Sequence, residues 1–216
     1  MWRIALDVPG TKRELMRVRP HHYFFALQPP PRTTEELVNL TAGLCGRRRG
    51  LGAPMSPGRH HISLVSLGAD DAPLDDWSRR GVEAVAGLRR PAFRVALNRI
   101  AAFGGGDRRR ALVLRGDEGV LGVDLLRADI RAALCAAGLA RRRDRPFEAH
   151  LTLVRGPADG PETFVAPISW EVREFVLIHS YVGEARYEIV GRFPLGQGLS
   201  SEPTVSPASR CRRGPR

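Results

Sequence analysis

Two short segments with the same pattern place the strongest constraint on this chain. Each has a histidine, an apolar residue, a hydroxyl-bearing residue and another apolar residue: His61-Ile62-Ser63-Leu64 and His150-Leu151-Thr152-Leu153. Successive side chains of a β-strand point to opposite faces of the sheet. The alternation therefore predicts two strands, each with an imidazole and a hydroxyl on one face and two apolar side chains on the other.

The repetition of this pattern favours a functional interpretation. A single His-x-Ser or His-x-Thr triplet on a strand arises often by chance and is more typical of a half-exposed sheet edge than of a functional site. An imidazole titrates near neutral pH, so two facing histidines can serve as a general base and a general acid. His61 and His150 are therefore the candidate catalytic residues. His60 alternates to the other strand face, and we interpret it as a surface or edge residue.

The composition narrows the class of protein. The 216 residues are 43% hydrophobic and contain no apolar run of about 18 residues, so no membrane span is expected. Asp7, Pro9 and Gly10 interrupt the N-terminal segment too early for a secretory signal, which predicts a cytoplasmic protein. The net charge is +11, but Lys12 is the only lysine and arginines supply the rest. Such a skew is typical of a genome-wide composition bias, so the charge suits nucleic-acid contact and a solvated surface equally.

Hydrophobic periodicity predicts alternating strands and helices, and hence an α+β fold. The first helix is predicted to be capped by Thr33 or Thr34, the second to span 75–88, and the third to span 121–137 with Leu125 among its inner residues. The predicted strands are 23–27, 60–67, 93–97, 111–114, the segment that begins at His150, 171–181 and 187–193. Residues 1–19 are expected to form a loose extension, 20–196 the folded domain, and 197–216 a disordered Ser/Pro/Arg-rich tail.

Four blocks, in order along the chain, resemble one protein family. They are the aromatic strand with its proline stop at 23–30, the two histidine motifs at 61–68 and 147–155, and the closing strand at 187–195. The chain resembles the 2H phosphoesterases, whose signatures are His-x-Thr/Ser-x, and among them the bacterial RNA 2',3'-cyclic phosphodiesterases, also called 2'-5' RNA ligases. Ser66 departs from a phenylalanine that is frequent in the family, and Ala149 departs from a proline.

The resemblance implies a two-lobed, pseudo-duplicated architecture over residues 20–196. Antiparallel sheets with outer helices would enclose a central cleft that carries both motifs. It also implies a hydrolase that opens a terminal 2',3'-cyclic phosphate of RNA to a 2'-phosphomonoester, with 2'-5' RNA ligation as the reverse reaction. The partner would be RNA or a nucleotide with that end, and a monomer is expected.

The resemblance also implies residue assignments. His150 would accept the proton of water and His61 would protonate the leaving ribose oxygen, although the sequence leaves the reverse assignment open. Ser63, Thr152 and Arg155 would bind the phosphate oxygens. No metal and no cofactor are implied.

Three other interpretations remain open from the sequence. The first is a 2H phosphoesterase for a small nucleotide cyclic phosphate. The second is a non-catalytic RNA-binding module in which arginines hold the phosphates. The third is a metal site made of His61, His150 and a carboxylate, which is the weakest because neither motif has a second ligand at metal-binding spacing.

Overall fold

The computed structural model describes residues 21–70, 76–104, 110–139, 146–157, 160–181, 183–184 and 186–196. The predicted N-terminal extension and C-terminal tail lie outside these residues. Nine strands and three α-helices are present in the described ranges. In chain order the elements are β1 (His21–Leu27), α1 (Pro31–Arg47), β2 (Ala53–Pro54), β3 (Ile62–Asp70), α2 (Asp76–Val85), β4 (Phe93–Phe103), β5 (Ala111–Arg115), α3 (Leu121–Ala136), β6 (His150–Arg155), β7 (Thr163–Val172), β8 (Glu174–Tyr181) and β9 (Arg186–Pro194).

The strands form two antiparallel lobes that meet at the two motif strands. The order across the sheet is β7-β4-β5-β6-β3-β1-β8-β9, and β2 adds to β6. Strands β6 and β3 are joined through the pair Ile62 and Leu151. These two residues follow His61 and His150 directly, so equivalent positions of the two motifs face each other. The α+β architecture with two similar lobes is therefore confirmed.

The helices cover the sheet and bury its apolar face. Helix α1 packs against β6 and β7, whereas α3 packs against β3 and β4 and also contacts α2. The inner stripe of α3 is fully buried and consists of Val123, Leu126, Ile130 and Leu134. The prediction that Leu125 lies in this stripe is wrong, because the stripe runs one residue later and Leu125 is 45% exposed.

Helix α1 begins earlier than its sequence predicts. Pro30 is the N-cap and Pro31 is the first helical residue, where proline loses no hydrogen bond and its φ already suits a helix. Thr34 is therefore inside the helix, and its hydroxyl donates back to the carbonyl oxygen of Pro30 at 3.2 Å. The predicted threonine cap at Thr33 or Thr34 is wrong for this reason.

The segment predicted as one strand over 171–181 in fact contains the end of β7 and the whole of β8. β7 ends at Val172 and β8 begins at Glu174, and the two belong to different lobes. Most of β7 is absent from the prediction, and β7 contains Pro167, which a central strand would not accommodate. β7 is an edge strand, however, and an edge tolerates proline because one row of its N–H groups needs no partner.

A β-bulge occurs at the same place in both motif strands. In the pairing of β3 with β1, Val65 is opposite Phe25 and Ser63 is opposite Ala26, so Leu64 is the extra residue. In the pairing of β6 with β5, Leu153 is left over in the same way. Each bulge lies three residues after its motif histidine. Since a bulge reverses the alternation of side chains, the residue five places after each histidine, Ser66 or Arg155, returns to the histidine's face.

Candidate active site

Each motif histidine is held by a backbone carbonyl two residues before it. The Nδ1–H of His61 donates to the carbonyl oxygen of Arg59 at 2.7 Å, and that of His150 donates to the carbonyl oxygen of Glu148 at 2.8 Å. A carbonyl can only accept, so Nδ1 carries the proton in both rings and Nε2 is left with its lone pair when the ring is neutral. Among the described residues, neither Nε2 has a hydrogen-bond partner.

One cleft of about 670 Å³ contains both histidines. Four of the five residues predicted from the sequence line it, namely His61, His150, Ser63 and Arg155. Thr152 is half-buried on the strand face of His150 and is not among the lining residues. The other lining residues are His22, Phe24, Arg59, Leu64, Val65, Ser66, Phe147, Ser180, Tyr181, Gly183 and Tyr187.

Both imidazoles are less basic than a free histidine. Burial lowers the pKa of His61 to about 4; the hydrogen bond to the Arg59 carbonyl opposes this effect, and the charges of Arg155 and His150 add to it. Burial also lowers the pKa of His150, and the nearby guanidinium of Arg115 acts in the same direction. At neutral pH, the pair is therefore mostly uncharged when no anion lies beside it.

Two arginines of the cleft have no acidic partner among the described residues. Arg155 ends β6, and its charge acts on the imidazole of His61. Arg59 lies with its guanidinium carbon 4.4 Å from the ring centre of Tyr187, and its buried Nε makes no hydrogen bond. Arg115 is ion-paired with Glu148 instead. Of the described residues, none neutralises these two positive charges beside His61, which suits an anion.

Aromatic rings surround the two imidazoles. Phe24 and Tyr187 contact His61 with ring centroids 5.1 Å and 5.5 Å away, and Phe103 stacks on His150 at 4.3 Å. Sequence reasoning missed Arg59 and all three aromatic residues as site components. Phe24 and Tyr187 come from β1 and β9, and only the strand pairing β3-β1-β8-β9 brings them together.

The other described histidines differ in burial. His60 is 2% exposed and neither ring nitrogen has a hydrogen-bond partner within the described residues, so its prediction as a surface or edge residue is wrong. It precedes β3, which begins at Ile62, and its ring lines a separate cavity beside the start of α1. His179 is also 2% exposed and hydrogen-bonds His21 at 2.7 Å. His22, predicted to precede the first strand, lies within β1 and lines the cleft.

Two findings concern metals and membranes. Within the described ranges, no three side chains of His, Cys, Asp or Glu are grouped as a metal ion requires. In the same part of the chain, no helix has the length and apolar character needed to cross a bilayer.

Comparison with known proteins identifies the family. The sequence pattern of the 2'-5' RNA ligase superfamily matches residues 29–184. The match covers most of the chain and includes both motifs, so the chain belongs to the 2'-5' RNA ligase superfamily. Comparison with curated proteins gave no match.

Solved structures with the same fold include proteins of two bacteria. TT0787 of Thermus thermophilus is 23% identical over 82% of this chain and 100% of that chain, with a TM-score of 0.65. E. coli LigT in its apo form is 24% identical over 83% and 99%, with a TM-score of 0.62. E. coli LigT complexed with 3'-AMP is 24% identical over 82% and 99%, with a TM-score of 0.63. At these identities, the three structures support the assignment of the fold.

Proposed function

We propose that the protein is an RNA 2',3'-cyclic phosphodiesterase that uses His61 and His150 as its acid–base pair. It opens a terminal 2',3'-cyclic phosphate to a 2'-phosphomonoester and needs no metal ion. The reverse reaction would join a 5'-hydroxyl to the cyclic phosphate as a 2'-5' linkage. The proposed site of action is the cytoplasm.

The observation that carries this proposal is the matched anchoring of the two imidazoles. Both rings hold their proton on Nδ1 through a carbonyl bond, and both line one cleft. Each Nε2 is therefore available to exchange a proton with a ligand. Opening a cyclic diester requires one group that accepts a proton and one that donates a proton, which is what such a pair offers.

The reaction is a single displacement at phosphorus. The Nε2 of His150 takes a proton from water as the water oxygen bonds to phosphorus, and the bond from phosphorus to the ribose O3' breaks. His61, protonated at Nε2, gives its proton to O3'. The products are a 2'-phosphate and a 3'-hydroxyl, and the two histidines exchange protons with solvent to restore the starting state.

Positive charge and hydroxyl groups would hold the phosphate. The Arg155 guanidinium, free of acidic partners among the described residues, would bind the non-bridging oxygens and stabilise the charge that develops on them. Ser63 lines the cleft and would donate a hydrogen bond to one oxygen. Thr152 would do the same from the strand of His150, once the ligand reaches its half-buried hydroxyl.

Two alternative functions involve related ligands. E. coli LigT has been crystallised with 3'-AMP, and a nucleotide of that size suits a cleft of about 670 Å³. A small nucleotide cyclic phosphate is therefore the alternative substrate. A non-catalytic RNA-binding module is the alternative without chemistry.

We expect the protein to hydrolyse 2',3'-cyclic AMP in excess chelator at the rate seen without chelator. Product analysis by chromatography should show the 2'-phosphate. Comparison of the mononucleotide with an oligonucleotide that ends in a cyclic phosphate separates the small-nucleotide enzyme from the RNA enzyme. Activity that chelator abolishes and zinc restores would replace the proposal with a metal mechanism, and binding without turnover would favour the RNA-binding module.

The lowered pKa values of the two histidines predict an acidic optimum for kcat/KM. The reactive form has one protonated and one neutral imidazole, and it is most populated between the two pKa values. Both pKa values lie below 6.5 in the free enzyme, so kcat/KM should peak below pH 6.5 and fall as the pH rises above it. The bound phosphate carries a negative charge, which raises both pKa values, so kcat should peak at higher pH than kcat/KM. Coincident optima, or a kcat/KM optimum above pH 7, would contradict this.

A further inference from the structure

The cleft extends beyond His61 along a row of rings to a polar pair. Phe24 contacts His61 with ring centroids 5.1 Å apart, and His22 stacks on Phe24 at 5.3 Å with 28° between the ring planes. Beyond Phe24, the Nε2 of His22 is 2.8 Å from the hydroxyl oxygen of Ser66. Phe24 is only 5% exposed and lies as a buried spacer between the imidazoles of His22 and His61.

The backbone places Ser66 at this end of the cleft. The bulge at Leu64 returns Ser66 to the face of His61. Ser66 thereby occupies the position in β3 that Arg155 occupies in β6, five residues after the histidine. One lobe thus offers a guanidinium at this position, whereas the other offers a hydroxyl paired with an imidazole.

The hydrogen bonds of Ser66 determine which donors and acceptors the His22–Ser66 pair can present to a ligand. The N–H of Gly68 donates to the Ser66 oxygen at 3.1 Å. If the Ser66 hydroxyl donates to His22, then Nδ1–H of His22 and one lone pair of the Ser66 oxygen have no partner among the described residues. If Nε2–H of His22 donates instead, then the hydroxyl proton and the Nδ1 lone pair have none there. In both tautomers the pair presents one donor and one acceptor.

The charges of the cleft favour a neutral group at this end. Arg59 and Arg155 are the cationic lining residues in the described part of the chain, and both act on His61. Burial lowers the pKa of His22, which keeps its ring neutral at pH 7. Among the described residues that line the cleft, no arginine contacts Ser66 or His22, so a second phosphate would lack a charged partner from them. A nucleobase edge, which carries neutral donors and acceptors side by side, matches the pair.

We infer that His22 and Ser66 are specificity-determining residues that hydrogen-bond the edge of the substrate's nucleobase, while its phosphate lies between His61 and His150. This inference rests on the proposed function, because it takes the ligand to be a nucleotide. Tyr187, T-shaped against Phe24 with ring centroids 5.8 Å apart, lines the same end of the cleft.

The test compares substrates that have a base with one that has none. Ser66→Ala and His22→Phe should each raise KM for the 2',3'-cyclic nucleotides by about 2- to 10-fold, the effect of one hydrogen bond, with kcat unchanged. KM for glycerol 1,2-cyclic phosphate, which has no base, should stay the same. Ser66→Thr keeps the hydroxyl and should restore KM. Ser56→Ala, which removes a serine outside the cleft that makes no side-chain cap bond, is the matched control.

The outcomes separate this inference from the proposed function. If the wild type hydrolyses cyclic nucleotides and the variants change KM equally for both kinds of substrate, or for neither, the inference is wrong and the function stands. If the wild type hydrolyses nothing, calorimetric titration with 2'-AMP decides. A Kd weakened about 2- to 10-fold in Ser66→Ala supports the inference without the enzyme activity, whereas an unchanged Kd or no binding to the wild type overturns it. Melting curves verify that each variant is folded.

Discussion

Replacement of either motif histidine is expected to remove most of the turnover. His61→Ala and His150→Ala should each lower kcat for 2',3'-cyclic AMP by about 100-fold or more, because a general acid or base typically contributes about 10²- to 10⁴-fold. KM should change much less, since Arg155 and Ser63 still hold the phosphate. The double variant should lose less than the product of the two single effects, because the two groups act as a unit.

His60 is the matched control for this experiment. It is adjacent to His61 in sequence and buried, but it lines a different cavity. His60→Leu removes two ring nitrogens that have no hydrogen-bond partner in the described part of the protein, so it should remain folded and active. A folded His150→Ala with near-normal kcat, or a His60→Leu as impaired as His61→Ala, would show that the acid–base assignment is wrong.

A sulfur leaving group distinguishes the acid from the base. A thiol is far more acidic than an alcohol, with a pKa of about 8.5 for a free cysteine, so a 3'-sulfur leaves without being protonated first. With a substrate whose 3'-oxygen is replaced by sulfur, His61→Ala should regain much of its kcat and His150→Ala should not. The opposite pattern would mean that His150 is the general acid and His61 the general base, and that both still form the acid–base pair.

Gly52→Ala is expected to lower the stability of the fold at the end of β6. A Cβ at Gly52 would be 1.9 Å from the backbone oxygen of Arg155 and 2.8 Å from the Cα of Gly156. These are backbone atoms and cannot rotate away, so the end of β6 must move. Overpacking of this kind costs about 1–3 kcal/mol, and the melting temperature should fall by roughly 2–4 °C per kcal/mol.

The same substitution should also weaken phosphate binding. Ala53 pairs with Arg155 in the sheet, so a displaced β6 carries Arg155 away from the cleft. KM should therefore rise while kcat, which depends on the two imidazoles, changes less. Gly46→Ala is the control, because a Cβ there meets no atom within 4 Å and alanine in a helix is favoured by about 0.5–1 kcal/mol. If Gly52→Ala melts at or above the wild-type temperature, the close approach at Gly52 does not contribute to the stability of the fold.

The sequence predicts the parts of this site that depend on local alternation. His61, Ser63 and His150 line the cleft because residues two apart share a strand face, and this pattern is visible in the sequence. The packing of α3 is less predictable. Leu125 and Leu126 are both apolar, and only contact with the sheet decides that Leu126 is the buried one.

The parts that sequence reasoning missed depend on pairing between distant strands. Strict alternation puts Arg155 on the face opposite His150, and the bulge that reverses this is defined by the register of β6 against β5. No local residue pattern signals that register. Tyr187 and Phe24 reach His61 for the same kind of reason, since β9 and β1 are separated in sequence by most of the chain. The burial of His60 follows from where β3 begins, which is the least predictable property of a strand.

The pair of Ile62 and Leu151 relates the two motif strands by a local symmetry. Around that pair the two histidines, their carbonyl anchors and the bulges repeat, so these shared features alone would not distinguish the two orientations of a substrate. The fifth residue after each histidine differs, with Arg155 on one strand and Ser66 on the other. If the proposed function holds, the end of the nucleotide that enters each lobe would depend on side chains that differ between the lobes, and these two are among them. Exchanging Arg155 and Ser66 would test how much of that choice they carry.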